Sequence, residues 1–249
     1  MVFLISAAFK DDKIDLTAMQ EDLSSYKGKT STSSPSPHEW ENAFGDADVV
    51  FCITITSTLS GAYNSAVIAK DIYEQNHAGR KVYVLDSLST GPEIALFIEK
   101  IAELIKAGFA PDDIYKTLLE YKDKTHLYFS LASLNNFAKN GRISPVIAAG
   151  IGLLGIRVVG KASDEGTLLP LDKCRGEKRA LKKLIDHLKE CGYTDGKIII
   201  AHNNNEAGAL ELKKLIENTF GIFNGKIQKT RALCSYYAEP GSLLIGLEA

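Results

Sequence analysis

The sequence predicts an α/β protein of two domains: an N-terminal domain with a mainly parallel sheet flanked by helices, and a C-terminal domain with a mixed α/β sheet. Short apolar, β-branched runs alternate with segments of helical periodicity, which is typical of such folds. The length of 249 residues fits one or two domains. A new strand pattern begins just after residue 125, so we expect domains at residues 1–125 and 126–249.

In the N-terminal half, two buried-strand patterns each end in a hydroxyl-rich turn that leads into a helix. Strands are predicted at residues 49–56 and 82–86, and helices at residues 62–75, 92–107 and 111–125. Pro92 suits the first position of a helix and Gly108 a C-terminal cap. The helix that starts at Pro92 is apolar nearly all round, which predicts that it is buried.

The C-terminal half repeats the alternation without an obvious sequence repeat. Strands are predicted at residues 127–131, 156–159, 197–202 and 243–247, and helices from residue 134, at 179–191 and at 206–220. A small-residue helix is expected to end in the glycine-rich stretch 150–155, and residues 164–166 (Asp-Glu-Gly) form a hairpin-type turn.

Composition and charge exclude several classes of protein. The hydrophobic fraction of 45% and charged fraction of 24% are those of an ordinary globular chain. The 29 basic and 31 acidic residues leave a net charge of −2, so we expect no nucleic-acid partner and no stable membrane anchor. Four scattered cysteines and no convincing signal peptide predict reduced thiols and a cytoplasmic location.

Two adjacent strand-to-helix turns carry the clearest functional signal. Thr56, Ser57, Thr58 and Ser60 crowd the first turn, and Ser87, Ser89 and Thr90 crowd the second. Ligands bind at the carboxyl ends of strands in open α/β sheets, where helix N-termini and hydroxyls offer neutral donors to an anion. Plain helix capping explains the same residues equally well. The loop at residues 32–37 (TSSPSP) is also rich in hydroxyls, but by itself it favours a surface linker.

Motifs for catalysis, metals and cofactors fail their tests. The G-x-G-x-x-G match at residues 150–155 follows a helix and precedes a strand, the reverse of the dinucleotide-binding order. The histidines lack metal-ligand spacing, and no serine lies in a G-x-S-x-G elbow. We therefore predict no catalytic residue, no metal and no cofactor.

Taken together, five segments resemble the DegV family of bacterial fatty-acid-binding proteins. Residues 32–37 resemble its T-S-x-P-S-P loop, and residues 56–63 (TSTLSGAY) its S-S-x-L-S-G-T-Y signature. Residues 84–87 (VLDS), 134–144 (LNNFAKNGRIS) and 173–176 (KCRG) resemble its V-I-D-S, L-x-x-L-x-K-G-G-R-I-S and K-x-R-G elements. The matches are in order and correctly spaced over about residues 30–180.

The resemblance implies a two-domain α/β protein that holds one long-chain fatty acid between its domains and presents it to a separate fatty acid kinase, with no catalysis of its own. The family's carboxylate-binding hydroxyls correspond to Thr32 and Ser57, with Ser87 and Tyr237 as weaker candidates. Arg142 and Arg175 correspond to the arginines implicated in phosphotransfer or kinase docking.

Two departures from the family pattern bear on this hypothesis. The family's first strand–helix unit has no counterpart before residues 2–9, which indicates a shortened subfamily or an incomplete chain. Near the C-terminus, residues 237–241 (YAEPG) stand where the family has H-x-G-P-G, so Tyr237 replaces a histidine and Glu239 adds an anion. A small-molecule phosphotransferase or hydrolase that uses the same hydroxyl-rich loops is the alternative function.

Overall fold

A computed structural model describes residues 2–5, 15–26, 30–144 and 155–249. The strands are β1 Val2–Ile5, β2 Val49–Thr54, β3 Lys81–Asp86, β4 Thr125–Leu131, β5 Ile156–Ala162, β6 Leu168–Arg175, β7 Ile198–His202, β8 Gly225–Lys229 and β9 Leu243–Glu248. The helices are α1 Leu16–Ser25, α2 Pro37–Phe44, α3 Ala62–Asn76, α4 Gly91–Lys106, α5 Pro111–Lys122, α6 Asn135–Lys139, α7 Glu177–Glu190, α8 Glu206–Phe220 and α9 Ala232–Ala238.

These strands form two sheets. The first has the order β1-β2-β3 and is parallel, and the second has the order β6-β5-β4-β9-β7-β8. In the second sheet only the β7–β8 pair is parallel, and the other four pairs are antiparallel. The predicted fold class is therefore confirmed, with a parallel sheet followed by a mixed one. The strands of the two sheets lie on either side of residue 125, although the domain boundary itself stays a prediction.

The predicted strands and helices that fall on described residues are present, and their ends differ from the prediction by a few residues. The Asp164-Glu165-Gly166 turn connects the antiparallel pair β5 and β6, as predicted. Five elements were missed or left as loops, namely β1, α1, α2, β8 and α9. The predicted small-residue helix and most of the 150–155 glycine motif lie outside the described residues.

Helix α4 is the element that joins the two sheets. Its buried residues Leu96, Phe97 and Ile101 pack in one apolar cluster with Phe51 of β2 and Ile199 of β7. This contact on both sides confirms that the nearly all-apolar helix is buried. Because α4 begins directly after the second hydroxyl-rich turn, its packing fixes where that turn lies between the sheets.

Candidate functional site

The two hydroxyl-rich turns are bonded to one another at the edge of the parallel sheet. Asp86 Oδ1 accepts hydrogen bonds from the backbone N–H groups of Ser57 and Leu88, both at 3.1 Å. The Thr56 N–H donates to the Ser89 carbonyl at 2.9 Å. The strand ends therefore present one continuous surface rather than two separate loops, as their place in adjacent parallel strands predicts.

The tip of the β5–β6 hairpin closes over this surface from the second sheet. Thr58 Oγ1 donates to the Glu165 carbonyl at 2.6 Å. At Gly166, where φ is +78°, a Cβ atom would lie 2.1 Å from Thr56 Oγ1. Only glycine allows this approach, because a side chain would clash with Thr56 and the backbone is in the left-handed region. The hairpin turn is thus one wall of a junction between the sheets.

At this junction lies a partly open cavity of about 90 Å³ whose lining is largely apolar. The apolar lining comes from both sheets and α9: Ile55, Leu59, Leu88, Leu127, Phe129, Leu131, Phe137, Ala162, Leu168, Leu233, Ala238 and Leu244. The polar side chains are hydroxyls, a thiol and one guanidinium: Thr56, Ser89, Thr90, Thr167, Cys234, Tyr237 and Arg142. The described lining contains no His, Asp, Glu or Lys.

Two consecutive tyrosines of α9 hold the 30–32 segment beside this cavity. Thr32 Oγ1 and Tyr237 Oη are 2.7 Å apart, as are Thr30 Oγ1 and Tyr236 Oη. Tyr236 Oη also accepts from Asn140 Nδ2 at 2.9 Å. Each hydroxyl can donate one proton, so the half-buried Thr32–Tyr237 pair can direct two O–H groups at an anionic oxygen.

Arg142 is the positive charge among the described residues that line the cavity. It is half-buried, and its Nε donates to the Leu59 carbonyl at 3.1 Å while Nη1 donates to the Asn140 carbonyl at 2.6 Å. These bonds hold the planar guanidinium between the first hydroxyl-rich turn and the α6 region. A guanidinium in that position attracts an anion at the cavity wall.

The structure brings together three of the six predicted site residues: Thr32, Tyr237 and Arg142. Ser57 is exposed and does not line the cavity, whereas its neighbour Thr56 does. Ser87 is buried, and its Oγ accepts from the Ser89 N–H at 3.1 Å.

The sixth predicted site residue, Arg175, lies apart from the cavity, whereas several polar residues outside the predicted set line it. Arg175 is exposed at the end of β6, away from the cavity lining. Ser89 and Thr90, which belong to the second predicted hydroxyl-rich turn, line the cavity, whereas Ser57 and Ser87 do not. Cys234 had no sequence signal, since only its position on α9 brings it there.

Glu239, the anion that departs from the family pattern, has a structural partner. Its Oε1 accepts a hydrogen bond from the Asn136 N–H at 3.0 Å, in the first turn of α6. A carboxylate at a helix N-terminus is stabilised by the unpaired N–H groups there. Glu239 does not line the cavity.

A buried carboxyl group lies behind the second hydroxyl-rich turn. Glu93 accepts hydrogen bonds from Ser89 Oγ and, at 2.7 Å, from Thr125 Oγ1. Burial raises the pKa of this carboxyl, against the opposing effect of the two hydroxyl donors. Glu93 therefore connects a cavity-lining turn of the first sheet to the first residue of β4.

Metal and membrane signals are absent from the part of the chain that the structure describes. No group of three or more His, Cys, Asp and Glu side chains there could hold a metal ion. In the same residues, no helix has the length and apolar character needed to cross a bilayer.

The fold and the cavity define a class of two-sheet α/β protein with an apolar pocket at the junction of the sheets. A family model described as "uncharacterised protein, DegV family" matches residues 5–249. The chain belongs to the DegV family. A DegV domain-containing protein of Streptococcus pneumoniae is 42% identical over 241 residues, which cover 96% of this chain and 86% of the relative.

Solved structures agree with this assignment. A DegV family protein from Eubacterium eligens, loaded with heptadecanoic acid, has a TM-score of 0.96 and 36% identity, with 100% of both chains covered. The fatty acid kinase B3 protein of Streptococcus pneumoniae, loaded with linoleic acid, has a TM-score of 0.89 and 42% identity, covering 94% of this chain and 84% of that one.

Proposed function

We propose that this protein binds one long-chain fatty acid at the junction of its two sheets and presents the carboxyl group to a fatty acid kinase. The observation that carries the proposal is an apolar cavity bordered by a pair of hydroxyls and one guanidinium. The related proteins that were solved with heptadecanoic and linoleic acids support the ligand class.

We assign the carboxylate to the Thr32–Tyr237 end of the cavity. Both hydroxyls lie within 2.7 Å of each other and can turn their protons to a bound carboxylate, with Arg142 as the nearby positive charge. Thr32 joins the site through its contact with the lining residue Tyr237, whereas Ser57 and Ser87 neither line the cavity nor bond to Tyr237. Ser57, predicted beside Thr32 as a main ligand, is therefore a weaker candidate here, as Ser87 was from the sequence.

The acyl chain supplies the larger share of the affinity. Burial of about 15 methylenes at ~0.8 kcal/mol each contributes roughly 12 kcal/mol before the costs of ordering the ligand are subtracted. A largely apolar lining makes this gain available, since few polar groups would be desolvated by the chain.

A kinase partner fits the chemistry better than catalysis by this chain. The lining hydroxyl that bonds to a carboxyl group, Ser89, donates to Glu93, whose second oxygen accepts from Thr125, so this carboxyl group is held in a buried structural contact between the two sheets. The similarity to a protein named for fatty acid kinase supports this partner. We assign Arg142 to the reacting carboxyl group and the exposed Arg175 to kinase docking.

We place this function in the cytoplasm. Cys52, Cys174, Cys191 and Cys234 are all free thiols, and two of them are buried. Reduced cysteines are typical of proteins in a reducing compartment.

The test combines ligand identification with a double variant. Native mass spectrometry of gently purified protein should show one bound fatty acid. Thr32→Val with Tyr237→Phe should weaken binding by about 2–3 kcal/mol, because two hydrogen bonds to a charged group are lost. That loss is roughly 30- to 150-fold in Kd.

A matched double variant controls for the substitutions themselves. Thr117→Val with Tyr193→Phe removes the same atoms at positions whose hydroxyls bond to the Asp113 and Gly196 carbonyls, outside the cavity lining. It should leave the Kd within twofold. Failure to find or load any fatty acid would contradict the proposed function, and equal losses in both double variants would contradict the carboxylate assignment.

Arg175→Ala should keep the Kd and slow acyl phosphate formation with the kinase.

A further inference from the structure

Glu239, the residue that follows α9, has a backbone conformation that is unusual for any residue other than glycine. Its φ is +59° and its ψ is +161°, and residues with a Cβ atom rarely occupy this region because of steric clash with the backbone. Such strain persists only where the surrounding structure imposes it, and it is concentrated at functional sites. The contacts of Glu239 therefore indicate what the strain maintains.

The backbone on both sides of Glu239 is fixed by hydrogen bonds. The Glu239 N–H donates to the Ser235 carbonyl at 3.1 Å and closes the last turn of α9. Two residues later, the Gly241 N–H donates to the Asn203 carbonyl at 2.8 Å, and the Gly241 carbonyl accepts from Arg157 Nη1 at 2.7 Å. These bonds hold the turn between α9 and β9, but they do not use the Glu239 side chain.

The side chain of Glu239 connects this turn to α6. Its Oε1 accepts from the Asn136 N–H at 3.0 Å, and Asn136 Nδ2 donates to the Tyr236 carbonyl at 2.7 Å. Asn140, at the end of α6, donates through Nδ2 to Tyr236 Oη at 2.9 Å. These bonds of Glu239, Asn136, Asn140 and Tyr236 form the α6–α9 contact, in which Glu239 supplies the carboxylate.

The two elements in the α6–α9 contact carry the residues assigned to the ligand's carboxylate. The ring of Tyr237 on α9 packs on Phe137 of α6, with centroids 4.9 Å apart. Arg142 follows α6, and its N–H donates to the Phe137 carbonyl at 2.9 Å while Nη1 donates to the Asn140 carbonyl at 2.6 Å. A shift of α6 relative to α9 would therefore move the guanidinium away from the Tyr237 hydroxyl.

We infer that Glu239 is a positioning residue for carboxylate recognition, because its bond to α6 keeps Tyr237 and Arg142 at the same wall of the cavity. The inference rests on the proposed function. Glu239 itself does not line the cavity, so it acts through these two residues. Its loss should affect the ligand's carboxyl group more than the acyl chain, since most of the apolar lining belongs to the strands and their turns.

The experiment measures Kd for hexadecanoic acid and for its methyl ester with delipidated protein. Glu239→Gly removes the bond to α6 but adopts this backbone without strain, so the melting temperature should change little. It should weaken the acid by at least about fivefold and the ester by less than about twofold, because one hydrogen bond that orients the carboxylate site is lost. Glu239→Gln keeps an oxygen for the Asn136 N–H and should bind the acid within about twofold of wild type.

A matched variant separates relief of strain from loss of the bond. Asn204 also has a positive φ, +47°, and it is exposed and outside the cavity lining. Asn204→Gly should therefore leave the constants of both acid and ester unchanged.

A second variant cuts the α6–α9 contact from the other side. Asn136→Ala removes the bond to the Tyr236 carbonyl and should also weaken the acid more than the ester. The double variant with Glu239→Gly should lose less than the product of the two single losses, because both substitutions disrupt the same contact.

The outcomes separate this inference from the proposed function. Equal losses of acid and ester in Glu239→Gly, or unchanged acid binding in that variant, would overturn the positioning role. A loss in Glu239→Gln as large as in Glu239→Gly would also overturn it, because the hydrogen bond would then not be the cause. Wild-type protein that binds neither acid nor ester would refute the proposed function, and the inference with it.

Discussion

Glu93 is a buried acidic residue that is hydrogen-bonded to the candidate site. It is 4% exposed in the first turn of α4, and its carboxyl group bonds to Ser89 of the cavity-lining turn and to Thr125 of β4. A helix N-terminus favours a negative charge, but desolvation opposes it and raises the pKa. The protonated carboxyl can bond to both hydroxyls without a buried charge, because each hydroxyl can donate or accept.

The raised pKa of Glu93 gives the stability of the fold a definite pH dependence. Between the unfolded-state pKa of about 4.3 and the higher folded-state pKa, the folded protein holds a proton that the unfolded chain has lost. The free energy of unfolding therefore falls as pH rises through that interval. Glu93→Gln removes this loss, so its melting temperature relative to wild type should rise as the pH increases above about 4.3, by about 2–4 °C per kcal/mol.

Thermal unfolding at several pH values checks this expectation. Glu120→Gln, at an exposed position on α5, is the control and should show a difference from wild type that does not grow with pH. If Glu93→Gln destabilises the protein equally at both ends of the pH range, the ionisation argument is wrong and the lost hydrogen-bond geometry dominates.

At the scale of elements, the contact between α4 and β9 aligns the two sheets. A Cβ atom at Gly246 would lie 2.5 Å from the Glu93 backbone nitrogen and the Pro92 carbonyl carbon. The start of α4 thus packs directly on the backbone of β9, one of the two middle strands of the second sheet. Backbone atoms cannot rotate away as a side chain does, so this contact has no easy relief.

Gly246→Ala should accordingly lower the free energy of unfolding by about 1–3 kcal/mol, the usual cost of overpacking. Gly61→Ala is the control, because a Cβ there meets the Ser34 side chain, whose Oγ at 3.2 Å can rotate away. Its effect should stay within about 0.5 kcal/mol. Chemical denaturation measures both, and a Gly246→Ala variant as stable as Gly61→Ala would show that α4 can shift on the sheet.

The elements differ in how far they could be predicted from sequence. Helix α2 carried a usable signal: Ser36 and Glu39 form a capping box with Pro37 between them, a pattern that marks a helix start. Helix α9 carried none, because seven residues show too little periodicity and its two tyrosines are fixed by the distant 30–32 segment. Strand β8 is polar and lies at the edge of its sheet, where it pairs with one neighbouring strand only. None of its residues is buried, so it lacks the apolar pattern that predicted the other strands.

The same distinction applies to the candidate site. The hydroxyl-rich turns were visible because strand ends and helix starts are local features. The Thr32–Tyr237 contact joins residues 205 positions apart, and no spacing rule connects them. Family resemblance named both residues, whereas the contact between Cys234 and Thr90 follows only from the packing of α9 against the start of α4.

At the scale of the whole molecule, the two halves of the chain are joined around the cavity by polar contacts. Tyr236 and Tyr237 bond to Thr30 and Thr32, Thr58 bonds to the β5–β6 turn, and Arg142 bonds to the first hydroxyl-rich turn. A ligand at the junction contacts both halves at once. It can bind only when both are folded and in place, so ligand binding and global stability are linked.

Loading with hexadecanoic acid should therefore raise the melting temperature of the delipidated protein. At a free ligand concentration of about 100 times Kd, the linkage contributes about 2.7 kcal/mol, or about 5–11 °C for a chain of this size. Differential scanning calorimetry with increasing ligand measures the shift, which should grow with the logarithm of concentration.

The Thr32→Val/Tyr237→Phe variant should need roughly 30- to 150-fold more ligand for the same shift. The methyl ester, which lacks the carboxylate charge, should likewise stabilise wild type less than the acid. A melting temperature that ignores the acid would show that the junction does not hold it, and equal shifts with acid and ester would remove the hydroxyl pair from carboxylate recognition.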